Sequence, residues 1–308
     1  MRIRRLAALA LGSLLGGVAW EAPAGACSIC GCGDPLLSAS DAVPVVGQLR
    51  LDLTAEYLTA SARSDDDAAV TERLAQTTLK LVAGYSPVAR LNLVVSIPAV
   101  LKQWNASGGS SNSQSASPYG LGDIEAGARL FLLDSIDVHQ LSRQSVALTV
   151  GTSFPTGPDD ATVDGARLDQ HAQLGTGSFG PYVGLQYRFA RDPFNVFASL
   201  TGRMHSTNDY QYRFGNALMF SVQFQYHPID RLAIHLGVDG RWAARDTSLG
   251  APQENTGGFA LAASPGLQFN VVADLWLTAQ VQLPFYTHLY GEQSLGPIVS
   301  GGLQYRLF

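Results

Sequence analysis

Leu218-Met219-Phe220-Ser221-Val222-Gln223-Phe224-Gln225-Tyr226-His227 alternates apolar and polar residues without a break. A period of two gives an extended strand with one apolar and one polar face. The same period runs through Leu49, Leu51, Leu53, Ala55 and Tyr57 against Arg50, Asp52, Thr54 and Glu56. It returns at the end of the chain, where Leu303, Tyr305 and Leu307 alternate with Gly302, Gln304 and Arg306. About a dozen such segments can be read along the chain. Strands that repeat an apolar outer face all the way round predict a transmembrane antiparallel β-barrel, with apolar side chains toward lipid and polar ones toward a lumen. The fold expectation is therefore all-β, about 12 strands, with short periplasmic turns and long extracellular loops. A soluble sandwich is the rival, but it would not repeat such a face around the whole chain.

The start of the chain predicts export. Arg2, Arg4 and Arg5 precede an apolar run from Leu6 to Val18, and Ala24-Gly25-Ala26 is a small-residue cleavage site. Residues 1–26 are read as a signal peptide, 27–47 as a periplasmic cysteine-containing segment, and 48–308 as the barrel. The run 6–18 is short for a membrane-spanning helix. Of the 308 residues, 46% are hydrophobic and only 15% charged, a composition that suits a wall with half of each strand in lipid. The net charge is −5. Loss of three Arg and Glu21 with the signal would bring it near −7. With no basic cluster beyond the signal, a nucleic-acid partner is not expected. Asp65-Asp66-Asp67, Asp159, Asp160, Asp164 and Asp169 fall in expected outer loops, either solvated or bridged by divalent ions to anionic headgroups.

The strand expectations fix the connections. Strands near 73–85 and 90–102 are joined by the tight turn Ser86-Pro87-Val88-Ala89. A loop at 103–120 leads to a strand at 121–132, and 133–142 stands out as too long for a periplasmic turn. Strands near 143–154 and 177–189 bracket a long Gly/Asp-rich loop at 155–176. Strand seven is expected near 194–205 and strand eight near 212–227. A polar loop fills 245–257, and a last loop is expected at 287–296.

The alternation also names the lumen. Basic candidates are Arg50, Lys80, Arg129, Arg188, Arg203, Arg241 and Arg306, and acidic ones are Asp52, Glu56, Glu125 and Asp239. His205, His227 and His235 share that face. Charges of both signs inside a barrel either pair to hold its shape or line a modestly basic path for anionic or polar solutes, since charged rings set pore selectivity. Twelve strands lie between the filled lumen of eight and the aqueous channel of sixteen, so a narrow pore and a plugged one both remain open. Ser300, Gly302, Tyr305 and Leu307, with the terminal Phe308, resemble the signal read by the barrel-insertion machinery.

Cys27-Ser28-Ile29-Cys30-Gly31-Cys32 contains every cysteine of the chain. Three thiolates suit Cu(I) or Zn. An oxidising periplasm favours a disulfide with one thiol left over. Lipidation of Cys27 is the third reading, and no cofactor is certain. No G-x-S-x-G or H-E-x-x-H segment is present, and an enzyme is not expected. The expected function is an outer-membrane channel or transporter-like barrel for small solutes. The alternative is a barrel that anchors or sheathes a periplasmic redox or metal (for example copper) protein through its cysteine segment. Expected partners otherwise are outer-membrane lipid and lipopolysaccharide.

Three glycine-rich motifs carry a resemblance: Gly120-Leu121-Gly122-Asp123-Ile124, Phe154-Pro155-Thr156-Gly157 and Leu174-Gly175-Thr176-Gly177-Ser178. In that order and spacing they resemble the outer-membrane barrels of the MetA-pathway of phenol degradation family, a transporter-like group. The resemblance spans roughly 48–308 and implies the barrel fold and a transport role. The cysteine segment lies outside it.

Overall fold

The computed structural model describes residues 45–64, 70–108, 113–272 and 274–307. The expected signal peptide, Cys27, Cys30 and Cys32, the Asp65–Asp67 run and Phe308 lie outside the described residues.

Twelve long antiparallel strands form the wall: β1 (Leu49–Arg63), β2 (Val70–Val88), β3 (Leu91–Gly108), β4 (Glu125–Asp137), β5 (Ser142–Ser153), β6 (Gly180–Arg191), β7 (Phe194–Arg203), β8 (Ala217–Ile229), β9 (Leu232–Ala243), β10 (Gly258–Val272), β11 (Leu275–Leu289) and β12 (Gln293–Leu307). Each strand pairs with its chain neighbours. The sheet closes when β1 takes β12 as its second partner, in register from Leu49 opposite Leu307 to Ala62 opposite Gln293. Closure leaves no free edge, so every backbone donor of the wall can pair inside it. The shortest strand has 10 residues and the longest 19, enough for a tilted strand to cross a bilayer core.

The alternation becomes two faces. On β8, Leu218, Val222, Phe224 and Tyr226 point out, and Val222 is 51% exposed. Ser221 and Gln225 point in and are buried. The inner face is held by side-chain bonds between strands. Near the short turns, Asn195 donates to Gln225 at 3.0 Å, and Gln225 donates to Gln268 at 3.1 Å. Tyr182 lies flat inside the wall. A Cβ at Gly127 would come within 2.7 Å of its hydroxyl, and one at Gly151 would overlap the ring. Those glycines are what lets the ring lie there.

Several boundaries move. β4 continues through a register shift between Phe131 and Leu133 to Asp137. The connection expected at 133–142 is therefore a short turn, its Asp137 side chain accepting from the amides of His139 and Gln140. β4 also starts at Glu125 rather than 121, because Gly122-Asp123-Ile124 leaves the ladder to bind a loop. Residues 119–121 pair separately with β3. β3, β11 and β12 extend past their expected ends, so 103–107 belong to β3 and the loop expected at 287–296 shrinks to 290–292. β8 begins at Ala217, which makes 204–216 a loop.

Short turns and both ends of the barrel segment lie at one rim. The long connections, including 154–179, 204–216 and 244–257, lie at the other.

Candidate functional site

The connection 154–179 folds back over the barrel mouth. Its arms leave the wall at Phe154 and Phe179, whose rings meet edge to face at 6.1 Å. Inside it, Thr162–Val163 pairs with Ala166–Arg167, and Gln170–Ala172 makes a short 3₁₀ turn capped by Asp169, which accepts from the His171 amide at 2.8 Å. The buried Gln173 side chain ties the excursion together: its amide donates to Ala161 and Leu168 carbonyls, and its oxygen accepts from the Ala161 amide. Leu168 and Ala172 pack on Leu74 of β2 and Trp104 of β3. The Lys102 ammonium of β3 donates to the His171 carbonyl at 2.7 Å.

Two clamps hold this fold. The first is Asp123. Its carboxylate accepts from the Gly157 amide at 2.9 Å, the Thr176 amide at 2.8 Å and the Thr176 hydroxyl at 2.6 Å. Thr156 in turn accepts from the Ile124 amide. Gly157 and Gly175 lie so close that a Cβ on either would strike the other's backbone. The three glycine-rich motifs of the sequence therefore meet at one carboxylate, and the excursion 158–175 begins and ends there.

The second clamp joins three loops. The Asp246 carboxylate (244–257) meets His171 Nε2 at 2.9 Å, accepts from the Tyr212 hydroxyl at 2.6 Å and accepts from the Gly215 amide at 2.7 Å. Burial alone would push the His171 imidazole down. The Asp246 carboxylate, with help from Asp169, overrides it and raises the pKa to about 9. Burial likewise opposes ionisation of Asp246, but the bonds from His171, Tyr212 and Gly215 hold it below its ordinary value. The pair is thus a charged His–Asp link at neutral pH. His205 behaves oppositely: burial, with Arg203 and Arg241 nearby, pushes it down to about 4.

Below the loop the lumen holds two cavities. The upper one, about 180 Å³, is roofed by Gln170, His171 and Gln173–Thr176. The lower one, about 320 Å³, is lined by polar groups and by an apolar patch that includes Met219, Ala260 and Ile298. Glu56, Lys80 and Arg241 line both.

The candidate lumen residues separate by height. Arg50, Asp52, Arg129, His235 and Asp239 line the lower cavity. Arg203, Glu125 and His205 line the upper one. His205 does so from the loop after β7, because that strand ends at Arg203 rather than at 205. Arg188 and Arg306 are half-buried toward the short-turn rim, with Arg306 standing opposite Arg50 on the neighbouring strand. His227, also half-buried near that rim, bonds Asn195 at 2.8 Å. Ser300 lines the lower cavity, and Tyr305 is exposed on the outer face. Gly302 sits between Thr54 and Thr278 on neighbouring strands, and Leu307 ends β12.

Most inward charges are already committed. Arg203 meets Glu125 at 2.7 Å. Arg50 meets Asp52 at 2.7 Å. Asp239 accepts from Ser264 and from Gln282. Sequence reasoning missed Asp123, His171 and Asp246. The only available signal was the set of three glycine-rich motifs, which does not say that they meet. Among the described residues no group of three or more His, Cys, Asp and Glu forms a metal-binding cluster.

No protein-family model matches the chain, and no curated protein matches it. Among solved structures it is similar to the COG4313 outer membrane channel from Pseudomonas putida F1, at 15% identity and a TM-score of 0.64, over 87% of this chain and 97% of that one. At that identity the likeness shows a shared barrel fold. It also matches the transport unit of the autotransporter AIDA-I from Escherichia coli (8% identity, TM-score 0.48, 89% and 94% covered) and the CymD monoaromatic hydrocarbon channel (10%, 0.42, 92% and 94%).

Proposed function

We propose that this chain is an outer-membrane channel for small solutes, of the transporter-like kind implied by its resemblance to the MetA-pathway barrels. The observation that carries the reading is a closed twelve-stranded wall, apolar outside, around two internal cavities that share wall residues. Lipid provides no partner for backbone groups, and only a closed barrel or a helix satisfies them there. The long-loop rim then faces outward, and the short turns and barrel ends face the periplasm. The similar Pseudomonas protein, itself an outer membrane channel, supports the same reading. Ser300, Gly302, Tyr305 and Leu307 of the last strand, with Phe308 next in the sequence, serve as the segment read by the insertion machinery. We favour a channel over an enzyme because His171 and Asp246 are consumed in joining loops.

Single-channel recording of the refolded barrel in a planar bilayer tests this. Small steady openings are expected, enlarged when the 154–179 loop is released by Asp123→Ala. A folded barrel that stays silent in both forms overturns the proposal.

A further inference from the structure

Glu56, Lys80 and Arg241 form the waist between the cavities. Glu56 on β1 stands opposite Thr78, and Lys80 on β2 stands opposite Thr54, so the two are diagonal neighbours on adjacent strands. Diagonal pairs of this kind lie about 7–8 Å apart at Cα, within reach of long side chains. Yet no ion pair joins them. Among the described residues neither Glu56 nor Lys80 has a hydrogen-bond or ion-pair partner, unlike Arg50, Asp52, Glu125, Arg203 and Asp239. Arg241 enters the waist from β9, five strands around the ring from β2.

We propose that this waist is a binding site for a small amphipathic zwitterion of amino-acid size. Its carboxylate meets the Lys80 ammonium, with Arg241 on the far wall. Its ammonium meets the Glu56 carboxylate. Its apolar side chain lies in the larger cavity against Met219 and Ala260, which stand opposite Arg241 on the neighbouring strands, and Ile298. Two opposite charges left without partners on the lumen wall are complementary to a solute that carries both signs. A simple anion would use Lys80 and leave Glu56 repelling it. A simple cation would do the reverse. The larger cavity, about 320 Å³, reaches the waist and has room for a branched side chain. The proposal rests on the channel reading only in treating the waist as a point of passage.

Calorimetric titration of the folded barrel in detergent tests it, with L-leucine, 4-methylpentanoate (which lacks the ammonium) and 3-methylbutylamine (which lacks the carboxylate) as probes. Leucine should bind at least about tenfold more tightly than either, the worth of one charge-assisted bond. Glu56→Gln should erase the preference for leucine over 4-methylpentanoate. Lys80→Gln should weaken both carboxylates by at least about tenfold, while Lys80→Arg keeps binding and shows that the loss is not a folding defect. Equal affinity for leucine and 4-methylpentanoate, or a preference that survives Glu56→Gln, overturns the site. So does an absence of binding by all three probes. A barrel that binds leucine as described but never conducts would refute the channel and leave the site. One that conducts without discriminating among the probes would refute the site and leave the channel.

Discussion

Asp123→Ala should release the 154–179 loop while sparing the wall. Three donors converge on this carboxylate, at 2.9, 2.8 and 2.6 Å. A bond to a charged group is worth roughly 1.5–3 kcal/mol when its partner is removed. The site is half-exposed, so water replaces part of each, and about 1 kcal/mol apiece is a fair allowance. The loop then loses about 3 kcal/mol of docking free energy, and its open population rises by about two orders of magnitude. Because Gly157 and Thr176 sit on opposite arms, one substitution unclamps both ends of the excursion. Arg167 lies within it, donating to the Asp159 carbonyl and stacked 3.6 Å over the Tyr210 ring. Trypsin can cut after Arg167 only when the loop opens, so its cleavage rate follows the open population. We expect cutting about a hundredfold faster in the variant, with heat-modifiable gel mobility showing the barrel intact. Cleavage within about threefold of the wild type on an intact barrel, under half of the 1.4 kcal/mol that a tenfold change represents, would refute the clamp.

Docking should also depend on pH. His171 is raised above its ordinary value, so its contribution is full below about 6.5 and is lost as pH rises through about 9. Asp246 is lowered, so its contribution is present above its ordinary value and fades as acid protonates it. Tyr212, Asp169, Lys102, Glu72 and His205 are the other ionisable groups facing the pair, and Glu72, raised to about 7 chiefly by burial, also accepts from the Trp104 indole. Trp104, packed on Leu168 and Ala172, reports docking by its emission, which should redden above about pH 9. His171→Gln should flatten that alkaline transition, and an unchanged one would rule out the link. Val222→Arg, at a half-exposed outer position, should lower folding stability in phospholipid vesicles by about 2–4 kcal/mol near mid-bilayer. Equal stability of the variant would argue against a lipid-facing wall. Gly151→Ala should destabilise the barrel by about 1–3 kcal/mol through overlap with Tyr182, read from its urea midpoint. Partial recovery in Gly151→Ala with Tyr182→Ala, but little with Tyr182→Phe, would confirm the clash, because the ring carbon lies nearly as close as the hydroxyl and the Ala126 carbonyl remains within 2.6 Å.

The wall was legible because its pattern is local. Alternation at Leu218–His227 or Leu49–Tyr57 reports the face of each residue without reference to any other strand. Turn residues at 86–89 and 228–231 supplied the short connections. Errors arose where the pattern breaks. The bulge between Phe131 and Leu133 makes β4 look finished five residues early, at Leu132 rather than Asp137. At Gly122-Asp123-Ile124 the backbone abandons the ladder for a loop partner 34 residues away.

By itself, the sequence determined a closed wall of about twelve strands, its apolar outside and many inward-facing positions, though not Lys102 or Glu72, since these follow from near-neighbour periodicity and turn chemistry. Only the tertiary structure decided which of those charges meet. Arg203 finds Glu125 from 78 residues away, His171 finds Asp246 from across two loops, and Glu56 and Lys80 on neighbouring strands remain apart. Partnership in a lumen depends on strand register, barrel closure and loops folding inward, which are non-local and leave no periodic mark on the chain.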